Sequence, residues 1–428
     1  KHSHHSSTGD ADKDTWRFRE AGAAASALLG AGNSATFVFK GMPPEKALDV
    51  FSYIGPHLVL CEGLKDSDLP KIAIVEEDEI ENALQLRSLV AVVVDHPRSM
   101  TVGVPVLPYD PISVAKFVEE RYLMPAPRLV DPFGRRIHGI RISLTQRCNL
   151  NCLYCHHEGE LSSSAEMTTE EVVRVIRVAR DLGVRRVKFT GGEPLLRSDL
   201  EVIISSSWSL GLEDVSVTTN GQLLEERASS LYGSGLRRLN ISIPSADPRT
   251  YRAVTGGDLG RVVSGLWAAR SRGISVKINT VVMRGINDSE IEKMVEFAKR
   301  NASSLQFVEL EDLRLEKGFF EKYHADLSGV EAFISQMADR SIERGEMNRR
   351  RVYWIGDFPV EIVRPVNNPE FCSACTRIRV TSDGKLKPCL MRGDFLIDLL
   401  GPMRSGCQDD RLKALFMEAV SKRTPFYK

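Results

Sequence analysis

Three cysteines in the middle of the chain have a spacing that suits a metal cluster. Cys148, Cys152 and Cys155 form a C-x3-C-x2-C run directly after an apolar, β-type segment at 139–145. Three thiolates at this spacing can hold three irons of a [4Fe–4S] cube and leave the fourth iron open for another ligand. A structural zinc site is the alternative, because short cysteine spacings also suit zinc and His156 could supply a fourth ligand.

A second group of three cysteines lies near the end of the chain. Cys372, Cys375 and Cys389 form a C-x2-C-x13-C pattern around a segment, 377–390, that is predicted to be a β-hairpin with an Asp-Gly turn. A zinc ribbon would show two C-x2-C pairs, whereas three ligands suit a second cluster with an open iron. Clustered cysteines in a chain of 428 residues indicate metal ligands in a reducing compartment, not a disulfide framework.

The element that precedes the first cysteine group opens a regular repeat. Apolar β-type runs recur from His138 onward and alternate with helical patterns, of which 168–183 has Thr168 or Thr169 as its N-cap. Six such units with right-handed crossovers curl into a barrel or partial barrel, with its chemistry at the C-terminal ends of the strands. The predicted strands are 139–145, 185–192, 213–221, 237–245, 275–282 and 305–311.

The first 122 residues form a smaller domain with a pattern of its own. Near-continuous apolar runs at 57–63, 71–77 and 89–96 alternate with helical stretches at 44–54 and 110–122. This alternation predicts a parallel sheet that is covered by helices on both faces.

The remaining boundaries follow from composition. A Pro- and Arg-rich stretch at 123–137 is predicted to link the first domain to the barrel, which spans 138–312. Residues 313–428 are predicted to form a C-terminal region with a hairpin at 351–365 and the second cysteine group. We expect the two cysteine groups to face each other across the barrel mouth.

Composition excludes several classes of partner. The formal net charge is zero, with 57 basic and 57 acidic residues, so no global field attracts nucleic acid or a membrane surface. No apolar run reaches the roughly 20 residues that span a bilayer, and the polar start of the chain is not a secretory signal. We therefore expect a cytoplasmic protein whose anionic ligands are met by a few local cations.

The cysteine loop CNLNCLYC and the later FTGGEP segment resemble the radical S-adenosylmethionine (SAM) superfamily. The resemblance implies that the open iron chelates the amino and carboxylate groups of SAM. It also implies an α/β fold with a partial (β/α)6 TIM-type barrel. The residues that it assigns to cofactor binding are Tyr154, Gly191, Gly192, Glu193 and Ser242.

The C-terminal segment FCSACTRIRVTSDGKLKPCL is similar to the signature of the GTP 3',8-cyclase family. In that family the open iron of a second [4Fe–4S] cluster binds the guanine of GTP, and basic residues hold the triphosphate. Cations that point inward from barrel strands are costly unless they meet an anion. The resemblance implies that the substrate is contacted by Arg141, Lys188, Thr218, Lys277, Arg377 and Arg379. It also assigns Arg377 and Arg379 as catalytic residues.

The family implies a radical mechanism in the first step of molybdopterin or tungstopterin biosynthesis. One electron enters SAM from the first cluster, and the resulting 5'-deoxyadenosyl radical takes hydrogen from C3' of GTP. The C3' radical then attacks C8 and gives 3',8-cyclo-7,8-dihydro-GTP. The partners implied are an electron donor and a downstream cyclic pyranopterin monophosphate synthase, and a homodimer is a possible assembly.

The sequence departs from the family pattern at several positions. Gln306 and Glu311 stand where the family has Arg and Met, Pro244 replaces an acidic residue, and the chain ends TPFYK instead of Gly-Gly. These changes leave the SAM chemistry intact and concern the substrate. Two alternatives stay open, a radical SAM enzyme acting on another nucleotide or a peptide, and a non-catalytic metal-binding adaptor.

The start of the chain resembles a different family. The segments 1–23 and 58–72 are similar to the molybdopterin-guanine dinucleotide biosynthesis adaptor (MobB), which binds GTP with a P-loop. No G-x4-G-K-[ST] occurs, and in the family this loop precedes the region that matches Lys1. Either the chain is cut at its N-terminus, or this P-loop-like domain no longer binds nucleotide.

Overall fold

The structure is a computed structural model in which the chain divides into two compact units, Lys1–Pro125 and Ala126–Lys428. In the first unit it describes residues 25–30, 34–39, 70–95 and 104–118. In the second it describes residues 129–161, 163, 165–313, 317–344 and 348–426. No helix within these ranges has the length and apolar character needed to cross a membrane.

The first unit contains a hairpin and a small parallel sheet. Strands β1 (Ala25–Gly30) and β2 (Ser34–Phe39) pair antiparallel. Strands β3 (Lys71–Ile74), β4 (Leu89–Val94) and β5 (Val106–Pro108) pair parallel, and the helices are α1 (Ile80–Ala83) and α2 (Pro111–Val118). The parallel strands predicted at 71–77 and 89–96 are confirmed. The strand predicted at 57–63 and the helix predicted at 44–54 lie outside the described residues.

The second unit is built on one twelve-stranded sheet that contains all six predicted barrel strands. Eight of its strands are parallel and lie in the order β15-β6-β7-β8-β9-β10-β11-β14. Beyond β14 the sheet continues with β13 and then β12, and beyond β15 it continues with β16 and then β17. Each of these four strands is antiparallel to the strand before it. Over the described residues the order does not close, so the α/β fold is a partial barrel. The strands are β6 (Gly139–Ser143), β7 (Arg186–Thr190), β8 (Asp214–Thr219), β9 (Arg238–Ser242), β10 (Ser275–Val282), β11 (Ser304–Glu309), β12 (Arg340–Glu343), β13 (Arg351–Ile355), β14 (Phe358–Val363), β15 (Arg377–Val380), β16 (Lys385–Lys387) and β17 (Ile397–Asp398).

Helices connect the parallel strands and contribute a large part of the core. The first of them begins at the predicted cap, because the Thr168 hydroxyl accepts from the Glu171 amide while the Glu171 carboxylate accepts from the Thr168 amide. The helices are α3 (Thr169–Asp181), α4 (Leu200–Ser209), α5 (Leu224–Gly233), α6 (Pro248–Thr255), α7 (Leu259–Arg270), α8 (Ile291–Asn301), α9 (Phe319–Tyr323), α10 (Ser328–Met337), α11 (Pro369–Ser373), α12 (Leu400–Arg404) and α13 (Asp409–Ser421).

Alternation along the strands separates a core face from a polar face. In β10, Val276, Ile278 and Val282 are fully buried, whereas Lys277 and Asn279 between them are only half-buried. Because successive side chains of a strand point to opposite faces, polar residues can line one face of an otherwise apolar strand. The same alternation in β6 and β7 brings Arg141 and Lys188 to that polar face.

Candidate functional site

The first cysteine group lies on the loop that follows β6, at the C-terminal edge of the parallel strands. Cys148 is exposed, and Cys152 and Cys155 are half-buried. The Cys155 amide donates to the Cys152 carbonyl at 3.1 Å, which closes a tight turn. Burial, together with the neighbouring thiols of Cys155 and Cys148, raises the pKa of Cys152 to about 12. The three thiols are therefore near neighbours, and the Tyr154 hydroxyl donates to Cys152.

The two predicted glycines let the cysteine loop pack against the end of β7. The Gly192 amide donates to the Thr145 carbonyl at 2.6 Å, and Gly191 has a φ of +146°. A Cβ atom on Gly192 would lie 2.2 Å from the Arg147 carbonyl oxygen, a contact that backbone atoms cannot accommodate. Glycine is thus required here because the backbone leading into Cys148 runs directly over the turn.

Glu193 connects this turn to the end of β8. Its carboxylate is fully buried and accepts from the Leu195 amide at 2.9 Å, the Thr219 hydroxyl at 2.7 Å and the Asn220 amide at 2.7 Å. Burial raises its pKa. The Asn220 side chain in turn donates to the Cys148 sulfur at 3.8 Å. Glu193 therefore positions a residue that contacts the first cysteine group.

Four cations form a row across five neighbouring strands. Arg379 of β15 pairs with Arg141 of β6, Arg141 with Lys188 of β7, Lys188 with Ser216 of β8, and Ser216 with Arg238 of β9. Residues in register on adjacent strands share a face, so these side chains project to the same side. We call Arg379, Arg141, Lys188 and Arg238 the cation row.

The cations of this row repel one another, and their local ion pairs do not remove the excess charge. Burial and the Arg379 guanidinium lower the pKa of Arg141 to about 10. Burial and the charges of Arg141, Arg238 and Arg377 lower the pKa of Lys188 well below its usual range. Among the described residues, Lys188 has no ion-pair partner. Such an arrangement is stable only when an anion lies close by.

Two carboxylates that the sequence reasoning missed lie among the predicted substrate ligands. Glu158 contacts the Arg379 guanidinium and lies 3.5 Å from Arg141 Nη1. Burial acts to raise the Glu158 pKa, but the two arginines outweigh it and hold that pKa well below its usual range. Glu361 pairs with Lys277 Nζ at 2.6 Å, so Lys277 is already ion-paired. Neither acid belongs to a sequence motif that would have identified it.

Two further polar rows lie beside the cation row. Thr218 of β8 is in register with Asn240 of β9, which is in register with Lys277 of β10. Ser242 of β9 is in register with Asn279, Gln306 and Glu361 on the next strands. Gln306 accepts a hydrogen bond from the buried Arg350 at 2.7 Å. An arginine therefore reaches this position of β11 from outside the strand, which the sequence alone did not indicate.

Glu311, the other departure noted in the sequence, lies close to the first cysteine loop. Its Oε2 is 3.7 Å from His156 Nε2, and its charge acts on Arg141 and Arg377. His156 therefore has a carboxylate as its neighbour at this distance.

The second cysteine group lies at the opposite edge of the sheet, and the expectation of one shared mouth was wrong. Cys372 and Cys375 precede β15, which runs parallel to β6, so they lie at the N-terminal edge. Cys389 follows β16, which is antiparallel to β15, and returns to that edge. The five residues of β6 separate the two groups by roughly 13 Å at about 3.3 Å per residue.

Arginines surround the second group. The Arg135 guanidinium donates to the Cys372 carbonyl at 2.9 Å, and that of Arg423 donates to the Cys375 carbonyl at 3.0 Å. Both arginines pair with the buried carboxylate of Asp131. Burial acts to raise the pKa of Cys375, but Arg423 and Arg377 outweigh it and lower that pKa.

Unpaired polar atoms mark the space between the two groups as a ligand site. Arg141 Nε, Arg238 Nε and Asn279 Oδ1 are buried without a hydrogen-bond partner. Buried polar atoms are usually satisfied. Asn279 Oδ1 is an acceptor, whereas the two unpaired guanidinium nitrogens are donors and belong to the cation row. A cavity of about 420 Å³ is lined by these two arginines and by Lys188 and Arg377, and the acids Glu213 and Asp214 also line it. The donors fit a large anion.

The cysteine groups fit clusters through the chemistry of their donors. Among the described residues, no three His, Cys, Asp or Glu side chains converge closely enough to hold a single metal ion. A [4Fe–4S] cube binds each thiolate on a separate iron, so its cysteines need not converge on one point. Each group offers three thiols, which would leave one iron of a cube without a protein ligand.

Comparison with protein families divides the chain into three matched regions. Residues 142–298 match the Radical SAM superfamily, and residues 303–428 match Molybdenum Cofactor Synthesis C. Residues 1–95 match Molybdopterin guanine dinucleotide synthesis protein B. The first two matches together cover both cysteine groups and every member of the cation row except Arg141, which lies one residue before the first match.

Individual proteins are similar over the same part of the chain. A probable GTP 3',8-cyclase of Methanothermobacter marburgensis is 45% identical over 301 residues, which are 69% of this chain and 98% of that protein. A probable GTP 3',8-cyclase of Thermococcus kodakarensis is 44% identical over 308 residues, 70% of this chain and 100% of that protein. The crystal structure of Streptococcus suis SuiB bound to S-adenosylmethionine has a TM-score of 0.50 at 15% identity and covers 73% of this chain and 75% of that one. That last likeness shows a shared fold alone.

Proposed function

The chain belongs to the GTP 3',8-cyclase family of radical SAM enzymes, and we propose that it converts GTP into 3',8-cyclo-7,8-dihydro-GTP in the first step of molybdopterin or tungstopterin biosynthesis. The observation that carries this proposal is the cation row, which lies in register between two groups of three cysteines. The 45% identity to a probable GTP 3',8-cyclase supports the same substrate.

We infer two [4Fe–4S] clusters, one at each edge of the sheet. Cys148, Cys152 and Cys155 would hold the first, and Cys372, Cys375 and Cys389 the second. The first cluster and SAM would supply the radical that removes hydrogen from the substrate. Arg423 and Arg377 stabilise the thiolate of Cys375, whereas burial raises the pKa of Cys389. A lowered thiol pKa suits a ligand that must be deprotonated.

The protein's own contribution is to bind and orient the substrate. A triphosphate would meet Arg141, Lys188, Arg377 and Arg379, because the single carboxylate of Glu158, which pairs with Arg141 and Arg379, does not balance four cations. Cys375 lies two positions before Arg377, at the start of β15. A base bound near the second cysteine group would therefore place its ribose farther along the strands, toward the first group. Thr218 would contact the ribose side, and Lys277 would act mainly through its pair with Glu361.

At the C-terminal edge of the parallel strands, the loop that carries the first cysteine group would hold SAM. Gly191 and Gly192 keep the loop against β7, and Glu193 holds Asn220 beside Cys148. We propose that Tyr154 and Ser242 complete this cofactor site, since Tyr154 contacts Cys152 and Ser242 ends β9 at the same edge.

The chemistry also implies partners. An electron donor must reduce the first cluster, and a cyclic pyranopterin monophosphate synthase would consume the product. Six cysteines held as cluster ligands suit a reducing cytoplasm. We further propose that the chain divides into 1–122, 123–137, 138–312 and 313–428, and that it assembles as a homodimer.

Anaerobic incubation of the reconstituted protein with SAM, dithionite and GTP tests the function. We expect 5'-deoxyadenosine and a GTP-derived cyclised product in equal amounts by liquid chromatography and mass spectrometry. A protein that forms 5'-deoxyadenosine and no product from GTP would keep the radical chemistry and lose the substrate. A colourless protein with stoichiometric zinc would support the adaptor instead.

A further inference from the structure

Glu158 lies where the substrate's phosphates are proposed to bind. Its two carboxylate oxygens face different arginines of the cation row, Oε2 toward Arg379 and Oε1 toward Arg141. The Thr190 hydroxyl donates to Oε1 at 2.8 Å. A carboxylate shared by two guanidiniums occupies the donors that a phosphate group would use.

The backbone around Glu158 is strained. His157, Glu158 and Gly159 are three consecutive residues in the left-handed region, with φ of 48°, 52° and 64°. Only glycine adopts this region readily, and such strain persists when the surrounding contacts hold it in place. The Lys387 ammonium donates to the Gly159 carbonyl at 2.7 Å and supplies one of these contacts.

The strained turn begins two residues after Cys155. The same segment therefore carries a proposed cluster ligand at one end and a counter-ion of the proposed phosphate site at the other. A change in what the arginines bind would be transmitted to the turn through Glu158, because its ion pairs are among the contacts that hold the turn.

We propose that Glu158 is an internal stand-in for the substrate phosphate: it holds Arg141 and Arg379 in place until a polyphosphate arrives, and it is then displaced, which releases the strained turn beside Cys155. The inference rests on the proposed function for the identity of the substrate, but its physical content is competition between one carboxylate and a polyphosphate for two arginines. Glu158 is a positioning residue, since it acts on the substrate through the arginines.

The competition can be measured with inorganic triphosphate, which has the charge of the substrate and no base. The holoenzyme and its Glu158→Gln variant are titrated anaerobically at constant ionic strength. We expect the variant to bind triphosphate roughly tenfold more tightly, because the free protein no longer has its arginines occupied. Guanosine, which has no phosphate, should bind both proteins equally.

Glu160→Gln is the matched control. Glu160 is a buried carboxylate on the same loop, but its partners are Ser382 and Gln146 and not the arginines. Triphosphate should bind this variant as it binds the wild type. Equal affinity of wild type and Glu158→Gln, or weaker binding by Glu158→Gln, would overturn the proposal, because the carboxylate would then only orient the arginines.

Hydrogen exchange on the wild type tests the second half without any substitution. Triphosphate should accelerate exchange of the amides at 156–160 and leave those of the capped helix α3 unchanged. Unaltered or slower exchange at 156–160 would refute the release of the turn. Neither readout depends on turnover, so a failure here is distinct from the absence of a cyclised product from GTP.

Discussion

The two cysteine groups have the same number of thiols and opposite electrostatic surroundings. Around the first, the neighbours are neutral or acidic: Asn220 contacts Cys148, and the charge of Glu193 further raises the Cys148 pKa beyond the effect of burial. Around the second, Arg423 and Arg377 lower the pKa of Cys375 against the effect of burial. The surroundings of the first group thus suit a neutral or zwitterionic ligand, and those of the second favour the thiolate form of Cys375.

This difference follows from strand direction. Parallel strands bring all of their C-terminal ends to one edge and all of their N-terminal ends to the other. The first group follows β6, whereas the second precedes β15. The cation row lies between them because Arg141 and Lys188 occupy the middle of their strands. Substitutions in each region should therefore affect different steps.

The largest effect is expected from removing one cysteine of each group. Cys148→Ala should abolish SAM cleavage, because the first cluster would lose one of three protein ligands. Cys375→Ala should abolish conversion of GTP while some uncoupled cleavage of SAM persists. Each variant should retain roughly four irons, one cube. Formation of 5'-deoxyadenosine and iron content per chain are the measurements, and cleavage at the wild-type rate by Cys148→Ala would refute the first assignment.

The next largest effect is expected at Glu361, the buried carboxylate that Lys277, Arg344 and Arg350 share. Glu361→Gln would leave buried cations uncompensated and should lower the free energy of unfolding by about 3–5 kcal/mol. The three cations outweigh burial and lower its pKa to about 2. The ionised form of Glu361 therefore stabilises the fold above about pH 4.5. The free energy of unfolding that Glu361→Gln loses should accordingly be the same from about pH 6 to about pH 8.

Urea unfolding of the holoenzyme measures this loss, with Glu343→Gln as the control. Glu343 is an exposed acid whose contact to Arg351 spans 4.0 Å, so its replacement should change stability by less than about 1 kcal/mol. A similar loss in both variants would show that the buried pair has no special importance.

A smaller effect, on the KM for GTP, should distinguish two lysines that were both predicted from the sequence as substrate contacts. Lys188 has no ion-pair partner among the described residues, whereas Lys277 is paired with Glu361. Lys188→Gln should raise the KM for GTP about 10- to 100-fold, the value of a charged hydrogen bond. Lys277→Gln should raise it by less than about fivefold. Steady-state kinetics in GTP measures both, and the reverse order would contradict the placement of the triphosphate beside the cation row.

The sequence predicted the elements better than the partners of each side chain. All six barrel strands and the Thr168 cap follow from local patterns, because alternation, capping and glycine turns act over a few residues. The pairing of Lys277 with Glu361 joins residues 84 positions apart. No local pattern encodes such a contact, since it depends on the register of β10, β11 and β14.

The same reason explains the misplaced second cysteine group and the missed Arg238. A strand's direction within the sheet depends on which neighbour it joins, and β15 joins β6 from the far end of the chain. Arg238 lies in an RR pair at the start of β9 and shows no motif. Its place in the cation row becomes apparent only when five strands are aligned in register.

The smallest effect is expected at Asn220, whose amide donates to the Cys148 sulfur at 3.8 Å. Donors to sulfur stabilise the reduced form of a cluster. Asn220→Ala removes a hydrogen bond of about 1 kcal/mol, so the potential of the first cluster should fall by on the order of 40 mV for one electron. Titration followed by electron paramagnetic resonance measures it.

Asn149→Ala distinguishes this effect from a general loosening of the loop. The Asn149 side-chain oxygen accepts from the same amide of Asn220 at 2.8 Å, whereas Asn149 donates to Cys148 through its backbone amide, which an alanine retains. Its replacement should therefore leave the potential of the first cluster unchanged, and neither substitution should alter the second cluster, which lies at the other edge of the sheet. A shift in the reduction potential of the second cluster would mean that the two edges of the sheet are electrostatically coupled. The two cysteine groups would then share one electrostatic field and would not have separate environments.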